Sequence, residues 1–324
     1  MLQQGEEIYN LVKCIAAKYG FADFGCARAE EVSPRVQYAY LHAQKEGHFA
    51  SMHYLNNNME KRFNPQLLVE GAHSVLVFLV PYSLPDNLPT PKGVAKYALG
   101  KDYHQVIKGR LFSIMEILKE RYPHFQGRAF TDSAPVMERE WGERAGVGFV
   151  GKNNFLISKR CGIKNFIATI ICNLEIATTD LMDPGKREAT AGQCGECRRC
   201  IDSCPTKALK SEYSMDCSLC ISYHTIENRN LAQDAAQGTL PPFGEQYFGC
   251  DSCLDACPWN SRNLPGWEEF HTKAALLEEA TPQWWEGLSK EEFKELFKDS
   301  PLFRGGLENI QTALAWGKKG EKNG

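Results

Sequence analysis

The sequence has no long apolar run and no recognisable export signal. No uninterrupted hydrophobic stretch approaches the roughly 18 residues that a membrane-spanning helix needs. Charged side chains at Glu6, Glu7, Lys13 and Lys18 interrupt the apolar positions of the N-terminal segment, so the core of a signal peptide is missing. That segment also has no twin-arginine pair. We therefore expect a cytoplasmic protein with no membrane contact.

A large excess of one charge and regular internal repeats are missing as well. The formal net charge is −3, which neither favours nor excludes a polyanionic partner because local patches matter more than the sum. No period typical of solenoid proteins is visible. The 324 residues, 43% of them hydrophobic, are enough for about two domains with substantial cores.

Cysteine, by contrast, is abundant and concentrated in one region. Nine of the thirteen cysteines lie between Cys194 and Cys257. They include two runs, Cys194-x2-Cys197-x2-Cys200-x3-Cys204-Pro205 and Cys250-x2-Cys253-x3-Cys257-Pro258. This spacing is typical of two-cluster ferredoxins, in which the last Cys of each run binds the other cluster.

The spacing predicts most of the ligands of two 4Fe–4S clusters. The first cluster is expected to use Cys194, Cys197, Cys200 and Cys257. The second is expected to use Cys204, Cys250, Cys253 and one more thiolate. The sequence between the runs offers Cys217 and Cys220 for that last position, and the spacing does not choose between them.

Two other interpretations of the cysteines fit less well. Zinc sites favour two separated Cys-x2-Cys pairs, and a run that ends in Cys-Pro does not suit one tetrahedral ion. A disulfide framework belongs to short secreted chains. The pattern therefore predicts a protein that transfers electrons.

Hydrophobic periodicity and turn residues predict helices and strands without strict alternation, which indicates an α+β fold with a mixed sheet. The predicted helices span 6–19, 34–45, 102–121, 135–145, 289–298 and 307–316. The predicted strands are 74–80, 128–131 and a pair formed by 155–158 and 165–172. A polar connector at 174–193 leads into the cysteine-rich region.

The segment around Asp132 is the richest candidate site outside the cysteines. Asp132 lies between a predicted strand and a predicted helix, where a carboxylate faces the positive helix end, although periodicity alone favours a simple N-cap. The glycines at 146, 148 and 151 follow a helix rather than a strand, which argues against a nicotinamide site. His104 lacks the glycine three residues on that accompanies a cobalamin-ligating histidine, so we expect a structural helix residue there.

Four motifs occur in an order that resembles the epoxyqueuosine reductase family over about residues 5–317. They are Tyr97-Ala98-Leu99-Gly100-Lys101-Asp102-Tyr103-His104; Asp132-Ser133-Ala134-Pro135 with Gly151-Lys152; Cys220-Ile221-Ser222-Tyr223-His224-Thr225-Ile226-Glu227; and Phe248-Gly249-Cys250-Asp251-Ser252-Cys253 with Cys257-Pro258-Trp259-Asn260.

The resemblance implies an enzyme that reduces the epoxide of epoxyqueuosine at the tRNA wobble position to queuosine. Cob(I)alamin, supplied with electrons by two 4Fe–4S clusters, is implied as the reductant, with Asp132 as proton donor. Cys220, directly before Ile-Ser-Tyr, is implied as the lone ligand of the second cluster, which leaves Cys217 as a free or merely nearby thiol. Many relatives carry a further C-terminal block of HEAT-like repeats, and we expect a form without it.

The resemblance also implies a division of labour along the chain. It implies a cobalamin-binding catalytic domain at 1–175, a ferredoxin-like two-cluster domain at 176–262 and a helical tail at 263–324. The residues expected near cobalamin are Arg62, Tyr97, Asp132, Lys152 and Glu227.

A tRNA substrate predicts basic side chains that bind phosphate and make affinity depend on salt. We use the name basic rim for the candidates near the cysteine-rich region, which are Arg198, Arg199, Lys207, Lys210, Arg229 and Arg262. A splayed wobble base needs aromatic side chains on which to stack, and the candidates are Tyr54, Tyr223 and Trp259. We expect a monomer that takes electrons from an external low-potential donor.

Two alternatives stand beside this hypothesis. Reductive dehalogenases combine the same cofactors but usually carry a twin-arginine signal. An iron–sulfur electron-transfer protein whose N-terminal domain only docks a partner would bind no corrinoid, so an absorption spectrum of reconstituted protein distinguishes it.

Overall fold

The structure is a computed structural model that describes residues 2–183, 185 and 194–321. Within these residues the strands are β1 Asp23–Arg28, β2 Ser74–Pro81, β3 Gly127–Phe130, β4 Phe149–Val150, β5 Leu156–Ile157, β6 Asn165–Cys172, β7 Leu209–Ser211 and β8 Ser214–Met215. The main sheet has the order β1-β2-β6-β3 and all three of its pairings are antiparallel. Two small hairpins, β4-β5 and β7-β8, lie outside it.

Helices surround the sheet and form most of the C-terminal part. In the described residues the α-helices are α1 Leu2–Lys18, α2 Pro34–Lys45, α3 Met59–Phe63, α4 Tyr103–Arg121, α5 Glu138–Arg144, α6 Thr179–Met182, α7 Arg199–Asp202, α8 Leu231–Gln237, α9 Ser252–Asp255, α10 Ala274–Glu279, α11 Pro282–Gly287, α12 Lys290–Phe297, α13 Leu302–Gly305 and α14 Leu307–Glu321. A π-helical turn spans Tyr223–Glu227.

Burial on both faces explains why the sequence of the central strand β2 is apolar without interruption. All eight of its residues are buried. Leu76 and Phe78 pack in a core with α1 and α4, whereas Val75 and Val77 pack in a second core with α5. Because successive side chains of a strand point to opposite faces, a strand covered on both sides needs apolar residues at every position.

The α+β class predicted from the sequence is confirmed, and two details of the sheet are corrected. The named strands pair antiparallel rather than as a mixed sheet. The chain that leaves β1 at Arg28 re-enters the sheet beside it at Ser74, so the connecting helices do not carry it across to the opposite end. The predicted pairing of 155–158 with 165–172 is wrong. β5 pairs with β4, and β6 lies between β2 and β3 in the main sheet.

Strand β1 was not predicted, and Gly25 in its middle shows why. A Cβ added there would lie 2.1 Å from the carbonyl oxygen of Ala145, at the end of α5. The close approach of α5 therefore requires glycine, and glycine interrupts the apolar pattern by which a buried strand is recognised.

The region after α5 places Asp132 differently from the prediction. α5 begins at Glu138, three residues after the predicted start at 135, and its N-cap residue is Met137. Asp132 is therefore not the N-cap of this helix. It lies in the loop between β3 and α5 with φ +54°, in the left-handed region that Asp tolerates better than most residues.

The C-terminal helices share a core with the segment 94–99. Trp285, Phe297 and Ile310 pack with Ala98, Leu99 and Phe248. The predicted boundaries at 175/176 and 262/263 stay predictions. Of the predicted connector, residues 184 and 186–193 lie outside the described residues. No helix in the described part of the chain is both long and apolar enough to cross a bilayer.

Candidate functional site

Two short helices bring the cysteine runs together. α7 follows Cys197 and contains the buried Cys200, and α9 contains Cys253 and packs against α7. The hydroxyl of Ser203 donates to the carbonyl oxygen of Ser252 at 3.3 Å, which joins the two runs directly. Helices of four residues suit this role, since each presents cysteines from neighbouring positions while its main chain turns around them.

One group of thiols combines the first run with the last cysteine of the second. Burial raises the pKa of Cys257 to about 11, and the thiolate charges of Cys194, Cys200 and Cys197 raise it further. Charge repulsion of this kind acts between near neighbours. The structure therefore brings together the four cysteines that the spacing predicts for the first cluster.

A second group forms around Cys253. Its pKa is raised by burial and then by the charges of Cys250, Cys220 and, more weakly, Cys204. Of these thiols, only Cys220 acts on Cys217. Burial raises its pKa to about 12, and besides Cys220 its charged neighbours are Asp216 and Arg139.

The surroundings of both groups are apolar. Cys257 belongs to a small core with Phe149, Ile157 and Leu254, against which Cys194, Cys253 and Trp259 pack. The hairpin β4-β5 supplies Phe149 and Ile157 to this core. An apolar shell restricts water near a metal centre and so influences its potential.

Lys152 belongs to the first group of thiols and not to the Asp132 region. Its side chain is buried, its Nζ donates to the carbonyl oxygen of Gly195 at 2.6 Å, and it pairs with Glu212 at 2.8 Å. The hydrogen bond to Glu212 raises the pKa of Lys152, with the charge of Cys194 acting in the same direction. These contacts give no support to the predicted contact with cobalamin.

Asp132 presents its carboxylate to solvent beside two aromatic side chains. The side chain of Asp132 is 66% exposed. The Tyr103 hydroxyl donates to Asp132 Oδ2 at 2.5 Å, and His104 Nε2 lies 3.8 Å from the same oxygen. Burial, followed by the charge of Asp132, raises the pKa of Tyr103, so this hydroxyl remains a donor at neutral pH.

His104 is more than the structural helix residue that the sequence predicts. Asp102, the N-cap of α4, accepts from the His104 main chain at 2.9 Å and contacts its Nδ1 at 2.8 Å. An acceptor at Nδ1 fixes the ring and leaves Nε2 directed towards Asp132. The hydrogen bonds from His104 also lower the pKa of Asp102, against the effect of its burial.

Further charged groups converge on Asp132 from the C-terminal part of the chain. Arg304 Nη2 pairs with Glu227 at 2.8 Å and 2.9 Å to its two oxygens. Burial raises the pKa of Tyr54 to about 12, and the charges of Glu227 and Asp132 act in the same direction. Burial and then Asp132 likewise raise the pKa of Tyr97. We call Tyr54, Tyr97, Asp132, Glu227 and Arg304 the Asp132 site.

The π-helical turn connects the Asp132 site with the second group of thiols. The turn begins three residues after Cys220 and ends at Glu227. Within it, the Thr225 hydroxyl donates to Ile221 and accepts from the main chain of Gly249, beside Cys250. Gly249 has φ +71°, and a Cβ there would lie 2.6 Å from that of Ala95, close to Tyr97.

Arg62 has an unsatisfied buried donor. Its side chain is buried, its guanidinium lies 5.3 Å from the centre of the Tyr40 ring, and its Nε has no hydrogen-bond partner among the described residues. Burial raises the pKa of Tyr40, and the charge of Arg139 acts in the opposite direction. Burial lowers the pKa of Arg139, which follows Glu138 in the chain, and the charge of Asp132 acts in the opposite direction. A buried donor without a partner is costly, so Arg62 fits a site that a polar or anionic group completes.

The basic rim is exposed, whereas the predicted stacking residues differ among themselves. All six rim side chains are exposed, and Arg262 lies 5.9 Å from the ring of Trp259. Tyr54 is 50% exposed and faces the Asp132 site. Tyr223 is buried, and its hydroxyl hydrogen-bonds Ser51 at 2.7 Å. Of the three predicted stackers, Tyr54 is therefore the most accessible beside Asp132.

Sequence reasoning missed Arg304, Glu138 and Tyr103 as parts of the site. Arg304 lies in the tail, more than 75 residues beyond Glu227, and no periodicity marks it. Tyr103 lies in the motif that runs from Tyr97 to His104, but it has the spacing of a buried helix residue. Only Glu138, in the first turn of α5, carries a recognisable signal, and that signal also fits a helix-dipole residue.

Two family models match the chain in the regions that carry these groups. The model described as "Epoxyqueuosine reductase QueG, DUF1730" matches residues 62–133, and the model described as "4Fe-4S double cluster binding domain" matches residues 193–260. The second match covers both cysteine runs.

Curated relatives match nearly the whole chain. The epoxyqueuosine reductase of Cyclobacterium marinum is 38% identical over 315 residues, which cover 95% of this chain and 96% of that protein. The epoxyqueuosine reductase of Pseudomonas aeruginosa is 34% identical over 281 residues, covering 84% of this chain and 74% of that protein.

Solved structures share the fold. An epoxyqueuosine reductase crystallised with an epoxyqueuosine-modified tRNA-Tyr stem loop has a TM-score of 0.80 at 23% identity, covering 97% of this chain and 83% of that one. The enzyme from Streptococcus thermophilus has a TM-score of 0.77 at 23% identity, covering 95% and 81%.

Fold and site together define an oxidoreductase with two iron–sulfur clusters beside a second, acid-bearing site. Within that class, the chain belongs to the epoxyqueuosine reductase family. The matched double-cluster domain gives it two 4Fe–4S clusters. The family, the enzyme class and the two iron–sulfur clusters expected from the sequence are thereby confirmed.

Proposed function

We propose that this enzyme removes the epoxide oxygen of epoxyqueuosine at the wobble position of tRNA and leaves the alkene of queuosine. The reaction consumes two electrons and two protons and releases water. The observation that carries the proposal is the direct connection, through the turn from Cys220 to Glu227, between an acid-bearing site and a group of four thiols. The tRNA substrate also favours a cytoplasmic location.

The electrons enter through the cysteine-rich region. We assign Cys194, Cys197, Cys200 and Cys257 to one cluster, and Cys204, Cys220, Cys250 and Cys253 to the other. The mutual electrostatic influence within each set supports this assignment, and the separate environment of Cys217 supports its exclusion. An external low-potential donor reduces the clusters. Bound cobalamin supplies a strong one-electron and two-electron reductant at the substrate.

Asp132 delivers the proton to the departing oxygen. Its carboxyl is accessible to a substrate, and the Tyr103 hydroxyl at 2.5 Å orients it. His104, fixed by Asp102, lies 3.8 Å from the same oxygen and so borders the acid. A well-placed general acid contributes about 10²- to 10⁴-fold to the rate.

Four residues are proposed to hold cobalamin. The buried, unpartnered Nε of Arg62 is suited to an amide or phosphate oxygen of the cofactor. Tyr97 offers a half-buried aromatic face beside Asp132, which itself borders the cofactor, and Glu227 offers a carboxylate held by Arg304. Together, these residues would give a large amphipathic cofactor both polar and aromatic contacts. Lys152 is assigned to the first cluster instead, because its ammonium already binds Gly195 and Glu212.

One tRNA is proposed to bind across the basic rim of a monomeric enzyme. Rim residues contact phosphates, and Tyr54 stacks on the extruded base beside Asp132.

The domain division at 175/176 and 262/263 follows the same separation of roles, with cobalamin on the first part and the clusters on the second.

A direct assay tests the proposal. Anaerobically reconstituted enzyme, cobalamin and a low-potential reductant are incubated with epoxyqueuosine-bearing tRNA, and digested nucleosides are analysed by mass spectrometry. We expect the modified nucleoside to lose one oxygen atom, and we expect no loss when cobalamin is omitted. Unchanged epoxyqueuosine with fully loaded enzyme would contradict the proposed function.

A further inference from the structure

Glu138 is a second carboxyl in direct contact with Asp132. Its Oε1 accepts the main-chain N–H of Asp132 at 2.8 Å. The contact spans the loop from β3 to the first turn of α5, so it fixes the position of that loop. Other bonds close the loop, since Thr131 Oγ1 donates to Ile167 at 3.0 Å and the N–H of Ser133 donates to Thr131 at 2.7 Å.

The conformation of Asp132 needs such support. Asp132 has φ +54°, and a non-glycine residue is less stable in this region than in the right-handed region. The main-chain bond to Glu138 offsets this cost. It also keeps the Asp132 carboxyl beside Tyr103 and His104.

The surroundings of Glu138 favour its protonated form. Burial raises the pKa of Glu138 to about 8, and the adjacent charge of Asp132 acts in the same direction. The charged groups that face Glu138 are Asp132, Arg139 from α5 and Lys108 from α4. Either form of the Glu138 carboxyl has an oxygen that can accept the Asp132 N–H, so the contact does not depend on charge.

We propose that Glu138 is the positioning residue of Asp132: by accepting the Asp132 main-chain N–H, it holds the loop that presents the catalytic carboxyl to the substrate. This inference rests on the proposed role of Asp132. Asp132 remains the proton donor, and Glu138 acts on the reaction only through the position of that donor.

Two variants separate the acceptor from the charge of Glu138. Glu138→Gln keeps an oxygen that accepts the Asp132 N–H, so its turnover should stay within about threefold of wild type. Glu138→Ala removes the acceptor and should be about tenfold slower, because the Asp132 carboxyl is no longer held in place.

The experiment compares the turnover rates of wild type, Glu138→Gln, Glu138→Ala and the control Glu143→Gln. Glu143 lies on the same helix but pairs with Arg35. Amide hydrogen exchange of the peptide containing Asp132 provides a second readout. Exchange should be about tenfold faster in Glu138→Ala and nearly unchanged in Glu138→Gln, since only alanine removes the acceptor.

Each result decides the inference. A slow Glu138→Ala enzyme with fast exchange at Asp132, together with a Glu138→Gln enzyme close to wild type in both readouts, supports it. A Glu138→Ala enzyme with the wild-type rate would overturn it. If Glu138→Ala fails to fold, a Glu138→Gln enzyme that is about tenfold slower than wild type would overturn it. Wild-type enzyme that converts no substrate would overturn the proposed function and this inference with it.

Discussion

Replacing Asp132 with asparagine removes the acid but keeps the hydrogen bond from Tyr103 and the backbone conformation of this residue. The side chain is 66% exposed and has one close hydrogen bond, from Tyr103. Asparagine keeps an oxygen that accepts this bond and tolerates the left-handed backbone at φ +54°. Alanine would offer no acceptor to Tyr103 and would be strained at this positive φ, so Asp132→Asn is the informative change.

The expected effects on stability and on rate differ by several kilocalories per mole. A surface change that keeps its contacts should alter the free energy of unfolding by less than about 0.5 kcal/mol. Losing a general acid should slow the chemical step about 10²- to 10⁴-fold, which is about 2.7–5.5 kcal/mol in activation free energy. The variant should therefore fold, hold its cofactors and turn over very slowly.

Single-turnover conversion of epoxyqueuosine-bearing tRNA measures the rate, and absorption spectra measure cluster and cobalamin content. Asp86→Asn, which changes an exposed carboxylate in a loop before α4, serves as the matched control. Conversion by Asp132→Asn within about threefold of wild type, well short of the 10² minimum expected for a general acid, would refute the assignment of this residue as proton donor.

Three further predictions concern the cofactors and the tRNA. Cys220→Ser should lower the iron content from about eight to about four atoms per chain, whereas Cys217→Ser should leave it unchanged; the reverse result would exchange their roles. Arg62→Gln should lower cobalamin occupancy with intact clusters, and Lys152→Gln should instead reduce iron content, since its ammonium binds Gly195; equal cobalamin loss in both variants would contradict this division. The affinity for tRNA should decrease with salt, and neutralising two residues of the basic rim should reduce the slope of log affinity against log salt by about two; a slope that does not change would exclude the rim.

Local signals identified the elements whose stability is local. The helix at 34–45 was recognised from Ser33-Pro34, and it begins at Pro34 because proline suits the first helical turn. The helix predicted at 289–298 appears as α12, with a complete capping box between Ser289 and Glu292. β2 was recognised because burial on both faces demands an apolar residue at every position.

Strand pairings and close approaches between distant elements could not be predicted from such local signals. The partner of β5 is β4, because the chain turns back on itself there, and hydrophobic pattern alone does not name a strand's partner. β1 was missed because Gly25 makes room for the end of α5, and that contact is between residues more than a hundred positions apart.

By itself, the sequence determined the two clusters and the family, because the ligands of an iron–sulfur cluster must recur at short, fixed intervals along the chain. It also placed Asp132 at a strand-to-helix junction. Only the tertiary structure decided which thiols meet, since Cys257 joins a run more than fifty residues earlier, whereas Cys220 is the one thiol of the second group that acts on Cys217. The same holds for Tyr103, Glu138 and Arg304, because a hydrogen bond or an ion pair depends on distance in space and leaves no period in the sequence.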